Sequence, residues 1–206
     1  ARLVIEGVDR LNGVSHDILP DRIETGTYMI AVAMAGGRVV LENTRPDLLT
    51  SLIGPLKEAG MHIEVDGSTM VVERNGAKLE GFDVMTEAHP GFPTDLQAQL
   101  MSLMTICSGV GMITETIFEN RFMHVPELVR MGADITVHGN SALIRGVSKL
   151  TGAEVMATDL RASVALVLAG LAAEGETTVN RIYHLNRGYE KLVEKLTACG
   201  ADIHLA

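Results

Sequence analysis

The chain has 206 residues, of which 47% are hydrophobic and 21% are charged, a balance that excludes a largely disordered protein and supports a sizeable core. Its formal net charge of −9 argues against a broad phosphate-backbone binder, and its aromatic content of 3% argues against stacking platforms for single-stranded nucleic acid. The two cysteines supply neither a disulfide framework nor a metal-ligand cluster, which predicts a reducing compartment and no metal.

The sequence shows neither a secretory signal nor a membrane span. Its first residues contain no basic stretch followed by an apolar run. The longest apolar windows, 100–113 and 162–173, are shorter than the about 20 residues that a spanning helix needs. We therefore expect a soluble, cytoplasmic protein without a membrane or nucleic-acid partner.

A turn bounded by two glycines, with a basic residue and a leucine before the second glycine, occurs three times in the chain. Each copy follows an apolar run, which predicts a strand that enters the turn. In chain order, the strands and turns are Leu3–Ile5 with Gly7–Gly13, Met70–Val72 with Gly76–Gly81, and Ala142–Ile144 with Gly146–Gly152.

Each turn is followed by an aspartate that opens a helix-like stretch of about four turns. Aspartate is favoured at the start of a helix, and glycine is favoured just after its end. The predicted helices run from Asp21 to Gly36, from Asp95 to Gly109 and from Asp159 to Gly175. The short strands predicted after them are Arg38–Leu41, Met112–Glu115 and Thr177–Val179.

A second helix in each copy ends at a glycine and is followed by a strand of closely similar sequence. These helices end at Gly60, Gly132 and Gly200, and the strands are Met61–Val65, Ala133–Val137 and Ala201–Leu205. The first two copies then add another strand, whereas the third does not. Either Arg2–Ile5 folds back to supply the absent strand, or the chain is a piece of a longer one. Because a bare sheet edge promotes aggregation, we expect this edge to be covered.

Three such units can bury their helices together and leave their sheets outside. The sequence therefore predicts an α/β (α+β) fold, namely a pseudo-threefold inside-out α/β barrel of three βαβαββ-type repeats with the helices at the centre. We expect a single domain over residues 1–206, with repeats at about 1–75, 76–145 and 146–206.

Two arginines occupy the first turn of predicted helices, where the helix dipole disfavours a cation. They are Arg22 and Arg161, each next to the aspartate that begins its helix. A cation in an unfavourable place suggests a binding role, although Arg22 could instead pair with Asp21 or Glu24. Two further arginines, Arg121 and Arg187, each follow an asparagine in a polar loop after a strand.

Guanidinium groups bind carboxylate and phosphate with two parallel hydrogen bonds. The pattern therefore predicts a convergent anion site formed by Arg121, Arg161 and Arg187. Asp95 and Asp159 place carboxylates at the neighbouring strand-to-helix turns. The remaining candidate groups, His124, His184, Cys107 and Cys199, are interpreted as structural.

Five segments together resemble the UDP-N-acetylglucosamine 1-carboxyvinyltransferase family, the enolpyruvyl transferases that open bacterial peptidoglycan synthesis. The segments are Leu19–Gly26, Phe92–Gln99, Thr114–Leu128, Ala157–Ala162 and Arg181–Glu190. Members of this family have about twice the present length and two similar domains, and the resemblance covers only their second half. It implies a C-terminal domain that uses phosphoenolpyruvate and UDP-N-acetylglucosamine, without a cofactor.

The resemblance also implies roles for individual residues. Asp95 corresponds to the carboxylate that contacts the sugar 3-hydroxyl and is proposed as general base, and Ile117 and Phe118 lie where the family contacts the sugar nucleotide. The residues that match the surroundings of phosphoenolpyruvate are Arg121, Arg161, Arg187 and Asp159. Asp21 and Arg22 match an Asp-Arg pair of the family, and the resemblance implies that they bind substrate.

The family's mobile loop, with its reactive cysteine, belongs to the other domain, and neither Cys107 nor Cys199 has that context. The resemblance therefore implies that the chain needs the N-terminal catalytic domain as a partner and is inactive alone. It also implies that the amino-terminal segment of the longer family members completes this domain and supplies the absent strand. Two alternatives stay open: a 3-phosphoshikimate 1-carboxyvinyltransferase domain, against which 92–99 and 181–190 argue, and a non-catalytic nucleotide-sugar-binding module.

Overall fold

The computed structural model describes residues 2–76 and 78–205, so Ala1, Ala77 and Ala206 lie outside the described residues. Ala1 and Ala206 are the outer bounds of the predicted domain, and Ala77 is one position of the predicted Gly76–Gly81 turn. The α-helices are α1 (Arg22–Ala35), α2 (Thr50–Glu58), α3 (Gln97–Met104), α4 (Val125–Arg130), α5 (Leu160–Ala172) and α6 (Leu192–Ala198). The strands are β1 (Gly37–Leu41), β2 (His62–Asp66), β3 (Thr69–Arg74), β4 (Val84–Met85), β5 (Val110–Thr114), β6 (Asp134–His138), β7 (Ser141–Arg145), β8 (Leu150–Thr151), β9 (Glu154–Met156), β10 (Ala173–Glu174) and β11 (Thr178–Asn180).

Helices α1 and α5 begin at the aspartates that the sequence singles out. The Asp21 carboxylate accepts hydrogen bonds from the backbone N–H groups of Ile23 and Glu24, at 2.7 and 3.3 Å. The Asp159 carboxylate does the same for Arg161 and Ala162, at 2.7 and 2.9 Å. Each cap satisfies amide groups that have no partner inside the helix, which fixes where the helix starts.

Helix α3 differs from the prediction at both ends. Asp95 does not cap it but lies in a short 3-10 helix, Thr94–Leu96, because its carboxylate faces two arginines instead. The helix ends at Met104 rather than near Gly109, since the carbonyl of Thr105 accepts a hydrogen bond from the Val147 N–H at 2.7 Å. The predicted helix Asp95–Gly109 was therefore too long.

The three long helices of the repeats, α1, α3 and α5, pack against one another at the centre of the molecule. Every residue of α3 is buried, and so is the whole stretch Ala162–Ala169 of α5. A helix that is buried all round needs no polar face, which explains why these segments carry so few charges. The predicted α/β fold with central helices is confirmed in this respect.

Among the residues that the structure describes, strands lie outside the helices in four small sheets. The first is antiparallel in the order β1-β3-β2, and the second has the order β4-β5-β7-β6, with β4 and β5 parallel and the other pairs antiparallel. In the third repeat, β8 pairs with β10 and β9 with β11, both in parallel. The first two repeats thus close with a hairpin, β2-β3 or β6-β7.

Two predicted strands do not form within 2–76 and 78–205. Ala201–Leu205 has no strand structure, because the hairpin partner that β3 and β7 supply in the other repeats has no counterpart here. Arg2–Ile5 does not fold back to replace it. Residues 2–20 contain no helix or strand, and the side chains of Leu3, Val4 and Ile5 are 67% to 85% exposed.

In the second and third copies of the repeated turn, the second glycine is required by a close approach of two backbones. The Gly81 N–H donates to the Ser108 carbonyl at 2.7 Å, and the Gly152 N–H donates to the Glu174 carbonyl at 2.8 Å. A Cβ on Gly152 would lie 2.2 Å from the Glu176 carbonyl oxygen. Any side chain on Gly152 would push the parallel pair of β8 and β10 apart. In the part of the chain that is described, no helix is long and apolar enough to cross a membrane.

Candidate active site

A carboxylate and two guanidinium groups meet at one end of the central helices. Asp95 comes from the 3-10 helix before α3, Arg161 from the first turn of α5, and Arg121 from the loop after β5. Asp95 Oδ1 lies 2.9 Å from Arg121 Nη2 and 3.4 Å from Arg161 Nε. The Asp95 side chain is 41% exposed, so the cluster reaches solvent and can meet a ligand.

The two arginines set the charge state of the carboxylate between them. Burial raises the pKa of Asp95, but the charges of Arg161 and Arg121 and their hydrogen bonds outweigh it, so the pKa is lowered from its usual value. Burial lowers the pKa of Arg161, and Tyr189 and Asp95 more than offset this. The cluster is therefore an ionised carboxylate between two cations at neutral pH, with positive charge in excess.

A buried tyrosine holds Arg161 in place. The Tyr189 hydroxyl lies 3.3 Å from Arg161 Nη1, 3.0 Å from Thr27 Oγ1 and 3.3 Å from Gln99 Nε2. Thr27 belongs to α1, Gln99 to α3 and Arg161 to α5, so one hydroxyl joins all three central helices at the end where the cluster forms. Gln99 Nε2 also donates to the backbone carbonyl of Asp95 at 2.9 Å.

The loop after β5 supplies the rest of the site. Arg121 Nη1 donates to Thr94 Oγ1 at 2.8 Å, and its guanidinium lies 4.9 Å from the centre of the Phe118 ring. Ile117 and Phe118 are 41% and 57% exposed and border a cleft of about 590 Å³. The cleft is lined by residues 115–122 together with Gly139 and Asn140. An apolar rim next to the Arg121 guanidinium suits a ligand with both an anionic and an uncharged part.

Four predicted site residues lie outside this cluster. Asp21 and Asp159 serve as helix caps, and Arg22 is half-buried beside the first of them. Glu24, a suggested partner of Arg22, instead pairs with Lys195 at 2.6 Å. Arg187 is exposed at the end of the 3-10 helix Ile182–Arg187, and no ion pair joins it to Asp95 among the described residues.

Two of the groups interpreted as structural are buried. His124 is 2% exposed, its Nε2 lies 3.2 Å from the Met101 sulfur, and burial lowers its pKa to about 4. Cys107 is 1% exposed, and burial raises the pKa of its thiol to about 12. Cys199 is exposed, and the His184 ring packs at 4.1 Å from that of Tyr183. The described residues contain no group of three side chains that could hold a metal ion.

Sequence reasoning missed three residues of the site: Thr94, Glu115 and Tyr189. Glu115 lies at the end of the predicted strand Met112–Glu115, and all three residues lie in segments that carry the resemblance, but none of them has a predicted role. The available signal was the Thr-Glu-Thr run at the end of β5, which places a carboxylate among hydroxyl groups directly before the polar loop.

A family model described as EPSP synthase (3-phosphoshikimate 1-carboxyvinyltransferase) matches residues 1–196. Among curated proteins, a UDP-N-acetylglucosamine 1-carboxyvinyltransferase from Granulibacter bethesdensis is 64% identical over 201 residues, which are 98% of this chain and 48% of the relative. A protein of the same name from Rhizobium etli is 62% identical over 203 residues, or 98% of this chain and 47% of the relative. The chain spans about half the length of the curated relatives it matches.

Solved structures give the same picture of the fold. The enolpyruvyl transferase NikO from Streptomyces tendae superposes with a TM-score of 0.82 and 29% identity, over 91% of this chain and 44% of that one. EPSP synthase from Acinetobacter baumannii superposes with a TM-score of 0.62 over 82% of this chain and 43% of that one, and its 19% identity shows the fold alone.

Proposed function

The chain belongs to the EPSP synthase (3-phosphoshikimate 1-carboxyvinyltransferase) family, and from this premise we propose that it forms about half of a UDP-N-acetylglucosamine 1-carboxyvinyltransferase. The reaction moves the enolpyruvyl group of phosphoenolpyruvate to the 3-hydroxyl of the sugar nucleotide and releases phosphate, as the first committed step of bacterial peptidoglycan synthesis in the cytoplasm. Curated relatives at 64% and 62% identity carry this name, which favours the sugar nucleotide over shikimate 3-phosphate as the acceptor.

The observation that carries the proposal is the contact of one carboxylate with two arginines. In the reaction the sugar oxygen bonds to C2 of phosphoenolpyruvate while C3 gains a proton, and loss of phosphate and of a C3 proton then restores the double bond. Asp95 is the group that accepts the proton of the 3-hydroxyl. Arg121 and Arg161 neutralise the phosphate and carboxylate of phosphoenolpyruvate while the tetrahedral adduct forms.

The lowered pKa of Asp95 makes it a weak base until a substrate binds. An anion that engages Arg121 and Arg161 offsets the charges that hold this pKa down. The carboxylate then becomes a stronger base at the moment when both substrates are present. Substrate binding and proton acceptance are coupled through the same two side chains.

The other predicted residues have supporting roles in this proposal. Ile117 and Phe118 supply the apolar contact with the sugar nucleotide, since they are exposed beside the cleft. Arg187, which is exposed at the end of the 3-10 helix Ile182–Arg187, is a third cation for phosphoenolpyruvate in this proposal. Asp159 orders the first turn of α5, and with it Arg161. Asp21 and Arg22 contact substrate from the start of α1.

The partner is the other half of the transferase. Residues 2–19 expose apolar side chains along their whole length, and a soluble protein normally covers so many of them. These side chains are Leu3, Val4, Ile5, Val8, Leu11, Val14, Ile18 and Leu19. We propose that this segment packs against the other half and that the chain alone is inactive, because only one wall of the site is present.

The test is a chimera in which this chain replaces the matching segment of the Granulibacter bethesdensis relative. We expect the chimera to release phosphate from phosphoenolpyruvate when UDP-N-acetylglucosamine is added, and Asp95→Ala to lower kcat by roughly 10²- to 10⁴-fold. The control is Asp134→Ala, which breaks the exposed pair between Asp134 and Arg145 on the outer sheet. An Asp95→Ala chimera that is as active as the control contradicts the role given to Asp95.

A further inference from the structure

Glu115 is a buried carboxylate on which four hydrogen-bond donors converge. It lies directly after β5 and is 3% exposed. Its Oε1 accepts from the Thr86 hydroxyl and the Ile117 N–H at 2.8 Å each, and from the Phe118 N–H at 3.1 Å. Its Oε2 accepts from the Thr94 hydroxyl at 2.8 Å. Four donors on two oxygens match the number of hydrogen bonds that a carboxylate can accept, and this explains how the group tolerates burial.

The Oε2 side of this carboxylate leads to the candidate active site. A hydroxyl has one proton to donate, and Thr94 gives it to Glu115, so Thr94 Oγ1 is left to accept from Arg121 Nη1 at 2.8 Å. The other terminal nitrogen of Arg121 then points at Asp95. The chain of hydrogen bonds therefore has a fixed direction, and Glu115 sets it.

The Oε1 side shapes the rim of the cleft. The N–H groups of Ile117 and Phe118 both point inward at Glu115, so their side chains are turned outward to solvent. The Phe118 ring then lies beside the guanidinium of Arg121. One buried carboxylate thus holds both the loop that carries the apolar contact and the arginine that contacts Asp95.

We propose that Glu115 is a positioning residue that aligns Arg121 with Asp95 through Thr94 and fixes the Ile117–Phe118 loop at the same time, and this role rests on the proposed function. Glu115 touches no reacting atom. Glu115 keeps the Arg121 guanidinium and the Ile117–Phe118 loop in one arrangement before the substrate arrives. Less conformational entropy is then lost when the substrate binds.

The variant Glu115→Gln separates the two sides of the carboxylate. The glutamine keeps the shape, and its carbonyl oxygen suits the side with three donors, so its amide NH₂ faces Thr94. The Thr94 hydroxyl then has no acceptor on residue 115, so it no longer has a fixed orientation toward Arg121. The N–H groups of Ile117 and Phe118 keep their acceptor, so the loop stays in place. Thr94→Val removes the same link from the other end and leaves Glu115 in place.

The first measurement is an NMR titration that gives the pKa of the Asp95 carboxyl in this chain. Because the hydrogen bond and charge of Arg121 help to lower this pKa, the release of Arg121 in Glu115→Gln and in Thr94→Val raises the pKa of Asp95. Thr86→Val, which removes a donor from the Oε1 side only, is the matched control and leaves the Asp95 pKa unchanged. An unchanged pKa in folded Glu115→Gln or in Thr94→Val overturns the proposal, and the second variant suffices if the first does not fold.

The second measurement is a double-mutant cycle in the active chimera. We expect Glu115→Gln and Thr94→Val each to raise KM for phosphoenolpyruvate roughly tenfold. The KM of the double variant should be no higher than that of either single variant, because both substitutions break the same hydrogen-bonded link from Glu115 through Thr94 to Arg121. Independent, additive effects overturn the positioning role. A parent chimera that makes no product contradicts the proposed function instead, and the Asp95 pKa measurement still decides the role of Glu115.

Discussion

Asp95 occupies the same place in its repeat as Asp21 and Asp159 but makes different contacts. Those two carboxylates accept hydrogen bonds from the backbone at the start of a helix, which is the ordinary role of aspartate there. Asp95 gives up that role and contacts Arg121 and Arg161 instead. Its helix consequently starts through a 3-10 turn without a side-chain cap. A residue released from a structural role that its counterparts keep is a good candidate for chemistry.

His124 makes a prediction about acid stability. Burial lowers its pKa in the folded protein to about 4, below the usual value of about 6.5 for an unfolded chain. Between these values the unfolded state binds more protons than the folded state, so the stability falls as the pH is lowered from about 6.5 to about 4, by at most about 1.4 kcal/mol per pH unit. Above this window His124 is neutral in both states and adds no pH dependence.

Urea unfolding of the chain at a series of pH values measures this effect. We expect His124→Asn to have a flatter profile in that window, whereas His62→Asn, at an exposed position on β2, should follow the parent protein. A parent profile that is already flat between pH 6.5 and 4 would show that His124 is not buried in its neutral form.

At the scale of elements, the three central helices are joined by one hydroxyl group. Tyr189 is 2% exposed and contacts Thr27 of α1, Gln99 of α3 and Arg161 of α5. Burial raises the pKa of this phenol, although its hydrogen bonds and the charge of Arg161 oppose the change. The neutral hydroxyl therefore remains available to all three partners at neutral pH.

Tyr189→Phe removes this shared hydroxyl and keeps the ring. We expect the free energy of unfolding to fall by about 1–3 kcal/mol, because buried polar groups lose a partner, and activity in the chimera to fall with it, because Arg161 is released. The matched variant is Tyr183→Phe, whose exposed hydroxyl contacts only the Arg181 guanidinium among the described residues and should cost less than about 0.5 kcal/mol. If the two substitutions lowered the free energy of unfolding equally, the Tyr189 hydroxyl would not be what joins the three helices.

The order of helices and strands could be predicted because their signals are local. Asp21 and Asp159 each act on amides two and three residues away, and glycines follow within one helix length. The contacts of Glu115 could not be predicted in this way, since Thr86 and Thr94 lie 29 and 21 residues before it. Tyr189 and Thr27 are 162 residues apart. The pattern of arginines in the sequence predicted Arg121 and Arg161, and the resemblance to a family agreed with it, but neither predicted the neighbours that hold them.

At the scale of the whole molecule, the repeats are incomplete at opposite ends. The first lacks the strand that enters α1, and the third lacks the hairpin that would follow α6, within the residues the structure describes. Of the two alternatives for the absent strand, the one in which Arg2–Ile5 supplies it was wrong, because that segment contains no strand. Its exposed apolar side chains are instead suited to contact with the other half of a longer protein. The single-domain assignment and the repeat bounds stay predictions.

The central claim is that this chain supplies one wall of a site that transfers an enolpyruvyl group to UDP-N-acetylglucosamine. The most direct test gives the chimera phosphoenolpyruvate with equal amounts of UDP-N-acetylglucosamine and shikimate 3-phosphate, and identifies the product by mass spectrometry. The account predicts that the carboxyvinyl group appears on the sugar nucleotide alone. A carboxyvinyl group on shikimate 3-phosphate, or no product from a folded chimera, would contradict it.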